Sequence, residues 1–397
     1  MSLLNMTEKP DFDPKAWVPF ALGFRPFFIL AGLSGFALLF LWLMFWHKQF
    51  SAASYYGLIG WHSHEMLFGY TLAVVAGFLL TAVRNWTGVN TITNTPLALL
   101  ALLWLLGRLL PWIPGLPGWL IMIVDLAFIP LLAVALIYPL WQGRNKINRV
   151  FVPILLSMFI ANLLVHSEAM GWTNTATLGI DLVLHIILLL IVMVGGRVMP
   201  FFTQNVIPGF TSTSRKWVEV SSFVSIILVA LAALFMDKSP LLGVLYIAFA
   251  TIQAIRLQGW YHNDIWDKPV LWVLHTGYAW LIIGALLMGL SNFGLFMVSA
   301  AKHALTAGAI GVITLGMMAR VARGHSGRDI NVTKPIAWAF VLINIAVALR
   351  VFGPDLLPQH YLIWIMSSGT FWLIAFGIFT VAYLPILIHP RVDGQPG

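Results

Sequence analysis

Apolar runs of about twenty residues alternate with short polar breaks along the whole chain. The runs lie at 26–46, 61–83, 95–110, 118–140, 150–167, 176–198, 217–236, 240–256, 269–290, 299–320, 333–353 and 361–388. Each is near the ~20 residues that a helix needs to cross a bilayer. The breaks carry turn chemistry, as in PWIPGLPG at 111–118, QGRNKINR at 142–149 and FGPDLLPQ at 352–359. The pattern predicts an all-α integral membrane protein with about twelve transmembrane helices. Residues 1–25 read as a polar lead-in without signal-peptide character, 26–390 as one transmembrane domain, and 391–397 as a C-terminal tail. The longest break, near 199–216, is roughly 18 residues, too short to separate domains.

Composition agrees with that reading. Only 9% of the residues are charged and 60% are hydrophobic, against ~25% charged in soluble domains. Charge sets the predicted orientation. Lys48, Arg108, Lys238, Lys302 and Arg350 fall on one side of the twelve spans. Subtracting these five from the 22 Lys and Arg leaves 17 on the side that carries both termini. By the positive-inside rule the termini are cytoplasmic. The net charge of +8 therefore reports topology and the lipid bilayer as partner, not nucleic acid.

The chain has no cysteine. Thiolate chemistry, iron–sulfur clusters and covalently attached c-type haem are excluded. A bound metal must rely on His, Met, carboxylate or backbone oxygen. Ionisable groups inside spans are the candidates for function. WHSHEMLFG at 61–69 opens the second span with His62, His64, Glu65 and Met66. His303 opens the tenth span on the same predicted outer side, His185 lies about nine residues into the sixth, and His166 closes the fifth. His275 lies near the inner boundary of the ninth span and His325 in a loop after the tenth. Histidines on several helices at related depth can hold haem or a metal ion. The other reading is scattered, hydrogen-bonded interfacial histidines.

Helical spacing puts Glu65 and Met66 on the face of His62, at i+3 and i+4, and turns His64 away. The pair then serves one centre or two. Met66 reads either as a thioether ligand or as ordinary packing. Asp181, four residues before His185, is placed to orient that imidazole or to pair with an outer-side cation such as Arg108. Glu65 and Asp181 are the candidate catalytic carboxylates. Below His303, Ala304, Ala307, Gly308 and Gly311 make a small-residue face with room for a flat macrocycle, or for close helix packing. On the inner side, GFRPFF, RNWTG, GGRVMPFFTQN and ARVARGHSGR stand out as polar patches, with short turns predicted at Gly195-Gly196-Arg197, Pro200, Asn205 and 324–328. Their Arg197, Arg320 and Arg328 read as basic-loop charge or as partners for haem propionates.

WHSHEMLFG, GFLLTAV-x-NWTG, GGRVMPFFTQN and HALTAGAIG…GHSGR occur in that order on spans two, six and ten. The pattern resembles the NnrS family, polytopic bacterial inner-membrane proteins associated with nitric oxide metabolism and described as binding haem and copper. The resemblance runs from GFRPFF to the GHSGR loop. Arg84 and Ser326 stand where that family commonly has Pro and Thr. It implies haem b, copper, a multi-pass inner-membrane protein, and nitric oxide as small-molecule ligand, with electrons from a donor outside the chain. His185 and His303, with the three arginines, are then expected at the cofactor, and His62, His64, His185, His303 and Met66 at metal. The haem-copper oxidases also use twelve-helix subunits, but no adjacent His-His pair occurs here. Two functions follow. One is a nitric oxide protein, reducing or trapping the gas at a His-ligated centre as an oxidoreductase of the nitric oxide reductase type. The other is a membrane transporter or chaperone for copper or haem.

Overall fold

The computed structural model describes residues 13, 15–46, 55–236 and 238–395. Residues 1–12 and 14 of the lead-in, His47 and Lys48, and residues 396–397 of the tail lie outside the described residues. Among those described, the fold is helical throughout and contains no strand. Twelve helices are long and apolar enough to cross a membrane: α1 Phe24–Trp46, α2 Leu58–Thr87, α3 Asn94–Trp112, α4 Gly118–Gln142, α5 Lys146–Ala169, α6 Ala176–Val206, α7 Lys216–Phe235, α8 Pro240–Gln258, α9 Pro269–Asn292, α10 Val298–His325, α11 Lys334–Leu356 and α12 Pro358–Ile388. This is a multi-pass membrane protein.

Exposure supports a lipid setting. On α7 the exposed face is Val220, Val224, Ile227 and Leu231, whereas Ser222 and Ser225 are buried. A helix that turns its apolar stripe outward and its hydroxyls inward is solvated by hydrocarbon, not water. At the other extreme, 83% of the most apolar window of α2 is buried, against 28% for α7. So α2 is an interior helix. It meets α6, and α6 meets α10. Tyr70 on α2 reaches Thr314 on α10 through a 2.6 Å hydroxyl pair. Helices four spans apart thus meet in the middle, and the remaining spans pack around them. α12 packs on α11 and back onto α1. The Arg25 guanidinium locks that closure by donating to the carbonyls of Leu387 at 3.1 Å and His389 at 2.6 Å, at the negative end of α12.

Two spans leave α geometry. Glu65–Thr71 in α2 and Ala304–Val312 in α10 are π-helical. Each begins directly after a histidine, His64 in one case and His303 in the other. Wide π turns of this kind gather at functional sites.

Some boundaries differ from those expected. The GGRVMPFFTQN stretch is helix, not a turn, and α6 continues through Pro200 to Val206. Its second glycine explains why. A Cβ on Gly196 would sit 2.0 Å from an Arg256 guanidinium nitrogen. That guanidinium pairs with Glu219 and donates to the Val192 carbonyl at 2.7 Å. The glycine is a seat for a buried ion pair, not a break. NWTG likewise stays helical to Thr87, where left-handed Gly88 ends α2. The GHSGR loop is a turn, and its Ser326 carbonyl accepts from the Val392 N–H at 3.1 Å, docking the tail.

Candidate functional site

α2 and α10 run in the same direction, and α5 runs against them. His62, His64, His303 and His166 therefore gather at one end of the bundle. Residues 62 and 64 are two apart, roughly 200° round a helix, and they reach different neighbours.

His62 faces α10. It lines a cavity of about 180 Å³ together with His303, Met66, Ser63, Thr306 and Ala307. Trp42 of α1 stacks on the His62 ring at 4.2 Å, with the planes 15° apart. The buried His62 Nδ1 has no hydrogen-bond partner among the described residues. His303 Nδ1 lies 2.7 Å from the Ser299 carbonyl. That bond puts the proton on Nδ1 and leaves Nε2 with its lone pair. Two imidazoles with uncommitted nitrogens therefore line one void. Its walls are mostly apolar, including Leu39, Leu67, Ile310 and Trp372; Arg350 brings positive charge, and Lys302 is paired there with Asp181 at 2.6 Å. Imidazoles with free nitrogens, mostly apolar walls and the Arg350 cation fit a haem with a propionate. Met66 shares this cavity with His62. Glu65 does not, contrary to the helical spacing: at i+3 it sits at the edge of that face, where π geometry begins, and its carboxylate turns the other way.

His64 faces α3, α4 and α5, inside a second constellation. Its Nδ1 meets Glu65 Oε1 at 3.0 Å, and its Nε2 meets Asn162 Oδ1 at 3.0 Å and Asp125 Oδ2 at 3.3 Å. His166 Nε2 reaches the same Asp125 oxygen at 3.0 Å, and Asn162 donates to it at 2.8 Å. Arg108 pairs with Asp125, and through Nε with Glu65 Oε2 at 2.8 Å. Glycines make the space: a Cβ on Gly107 would lie 2.6 Å from Asp125 Oδ1, and one on Gly69 3.0 Å from Glu65 Oε2. Tyr56 stacks on His64 at 4.2 Å, and the Tyr55 hydroxyl lies 3.3 Å from His166 Nδ1. Burial, then the Asp125 charge, pushes the Tyr55 phenol up to about 12, and the same causes with Glu65 push Tyr56 well up. Both stay neutral hydroxyls beside the imidazoles.

One oxygen of Asp125 and one nitrogen from each of His64 and His166 lie within 4.8 Å of one another. This group could hold a metal ion. Ligands about 2.0–2.1 Å from a tetrahedral ion stand roughly 3.4 Å apart, close to the spacings found. Glu65 behind His64 Nδ1 and Tyr55 behind His166 Nδ1 supply the outer support that fixes metal-bound imidazoles. The charges also leave room for a cation. Glu65 and Asp125 are buried carboxylates, and Arg108 balances only one of them. A divalent ion, or a proton on His64, makes up the difference. The donor set is two imidazoles and a carboxylate without thioether, which suits Cu(II), Zn(II) or Fe(II).

Other expected site residues lie elsewhere. His185 has both nitrogens engaged, Nδ1 with the Asp181 carbonyl at 2.6 Å and Nε2 with the Tyr246 hydroxyl at 2.8 Å. The Asp181 carboxylate, by contrast, lines the His62–His303 cavity and pairs there with Lys302 at 2.6 Å. His275 contacts the carbonyls of Leu271 and Trp260. His325 contacts Asn85 at 3.4 Å, at the opposite end. The arginines are also at that end. Arg320 is seventeen residues beyond His303, about 26 Å along α10 at 1.5 Å per residue. It lies over the Phe202 ring at 3.5 Å. Arg197 donates to Asn148 at 3.0 Å, and Arg328 follows α10. None of the three is near the His62–His303 cavity; Lys302 and Arg350 are. In the small-residue face of α10, Ala307 lines the cavity, whereas Gly308 and Gly311 admit the rings of Trp280 and Trp372.

Asp125, Asn162, Tyr55 and Tyr56 did not stand out in the sequence. The available signal was Asp125 itself, a lone carboxylate in the apolar run GWLIMIVDLAFIP. No curated protein matches the chain. Residues 18–391, nearly its whole length, match the family described as NnrS protein. The chain belongs to the NnrS family.

Proposed function

We propose that the chain is a haem- and copper-holding protein of the bacterial inner membrane that binds nitric oxide in nitric oxide metabolism and tolerance. The observation that carries this reading is the convergence of His62 and His303 on one apolar cavity beside the buried His64–Asp125–His166 group. His62 and His303 would hold haem b, with Arg350 taking a propionate. His64, His166 and Asp125 would hold copper. Bound haem would supply an iron that takes a neutral diatomic ligand where one of the two imidazoles gives up its place, and bound copper would supply a second redox-active cation.

The chain's own residues do the rest. Trp42, Leu39 and Trp372 keep water from the cavity. Ser299 holds the His303 tautomer. Glu65 and Tyr55 orient the two imidazoles of the second group, and Arg108 keeps its carboxylates in place. Nitric oxide is small and apolar, so a site among helices needs no polar channel. Reduction of the gas would draw electrons from a donor outside the chain. A copper or haem transporter needs ligands that exchange. Fully buried His64 and His166, around a carboxylate pinned by Arg108 and Asn162, favour a resident ion.

The test is the optical spectrum and metal content of purified variants that remain monodisperse. His62→Ala and His303→Ala are each expected to lose the Soret band, and His185→Ala to keep it. His166→Ala is expected to lose copper and keep haem. A full Soret band in both of the first two variants would refute the assignment.

A further inference from the structure

A second cavity adjoins the first. It has about 100 Å³ of free space and is lined by α2, α6, α9 and α10, with Phe28 and Phe151 completing the wall. Along α6 it extends from Ile187 to Met199, twelve residues or about 18 Å. Nearly all of its lining is hydrocarbon. The polar atoms at its edge are committed elsewhere. Thr71 Oγ1 donates to the Met66 carbonyl at 2.7 Å, Thr314 Oγ1 to the Ile310 carbonyl at 2.6 Å, and the Tyr278 hydroxyl to Gln253 at 2.5 Å. A buried water needs two to four polar partners, which these walls do not supply. An apolar cavity of ~150 Å³ in another protein stays dry and takes up xenon.

Thr71 and Ile310 line both cavities. They lie on the two π-helical segments, Thr71 at the end of one and Ile310 within the other. The π segments therefore form the neck between this apolar cavity among α2, α6, α9 and α10 and the cavity that holds His62 and His303. We infer that the apolar cavity is a binding site for small apolar diatomic gases, which pass between the Thr71 and Ile310 side chains to reach the histidines. The delivery step rests on the proposed haem site, whereas gas binding in the cavity does not.

Two measurements on the full-length purified protein test this. Crystals pressurised with xenon should show an anomalous peak between α6 and α10, lost in Val194→Phe, which fills the void. An unfilled cavity under xenon, or an acyl chain of bound lipid in its place, overturns the site. Flash photolysis of carbon monoxide from the reduced protein then tests delivery. Bimolecular rebinding should slow at least tenfold in Val194→Phe, whose Soret band stays unchanged, and quicken in Ile310→Ala, which widens the neck. Should Val194→Phe fail to fold, Ile310→Ala still decides. Xenon binding with unaltered rebinding in the variants overturns the pathway. Xenon binding in a protein without any Soret band overturns the haem reading and leaves the gas site standing.

Discussion

Removing Arg108 tests whether the second constellation is held by charge balance. The side chain is 7% exposed and lies between the still more buried Glu65 and Asp125 carboxylates. Arg108→Met preserves much of the stem and deletes only the charge and the donors. Two carboxylates then remain with only the His64 and His166 imidazoles to offset them. Breaking a buried pair in this way costs about 3–5 kcal/mol, because an uncompensated charge stays behind. At ~2.1 cal/mol/K per residue, 397 residues give about 0.8 kcal/mol/K, so the expected fall in Tm is roughly 4–6 °C. The assay is tryptophan fluorescence on heating in detergent, for which the chain supplies 18 Trp. Asp125→Asn alone leaves Arg108 and Glu65 balanced and should cost only about 1–2 kcal/mol. Combined with Arg108→Met, it removes the excess negative charge. The double variant should therefore be more stable than Arg108→Met alone, which requires a coupling above ~2 kcal/mol. Strictly additive losses, or an unchanged Tm in Arg108→Met, would refute the charge-balance argument.

Two further predictions concern the opposite end. Gly196→Ala pushes a methyl to within 2.0 Å of the Arg256 guanidinium and must expel it from Glu219 and the Val192 carbonyl; a loss of about 3 kcal/mol or more is expected by thermal melt. Gly195→Ala next to it meets nothing nearer than 3.3 Å and should cost under ~1 kcal/mol. Gly327 has φ +71° and sits against the Asp393 carboxyl, 2.6 Å from a built Cβ. Gly327→Ala should free the tail, read as lower anisotropy of a dye on Gln395→Cys, a clean label because the chain has no other cysteine. The Arg391 guanidinium holds the Asp393 carboxyl down to about 2. A depressed carboxyl stabilises above its ordinary pKa of ~3.9 and ceases to as pH falls through the lower value. The wild-type tail should thus stay docked above pH ~4 and loosen only toward pH 2.

The sequence shows the spans and hides the partners, for a physical reason. Hydropathy is a property of each run alone, so twelve apolar stretches are legible without knowing what packs where. The divergence of His62 and His64 is equally local, since 100° per residue separates positions two apart. Partnership is not local. Asp125 stands in its run as a bare cost, and its companions Arg108, Asn162 and His166 are supplied by two neighbouring spans. Depth alone misleads in the same way. His185 lies at a plausible level, but its rotation sends Nε2 to Tyr246 of α8, away from the α2–α10 cavity. The arginines of α6 and α10 announce themselves by charge, yet helix rise puts them at the wrong end. Least visible of all are the π segments. A hydrophobic run reads the same whether its backbone bonds close over four residues or five. That single difference widens α2 and α10 just past their histidines and changes which side chains follow them into the cavity. Residues such as Glu65, which α spacing assigns to one face, end on another. Where two interior helices both do this at the same level, the lost backbone regularity is offset by something at the site itself, and the neck between Thr71 and Ile310 is where that compensation should be sought.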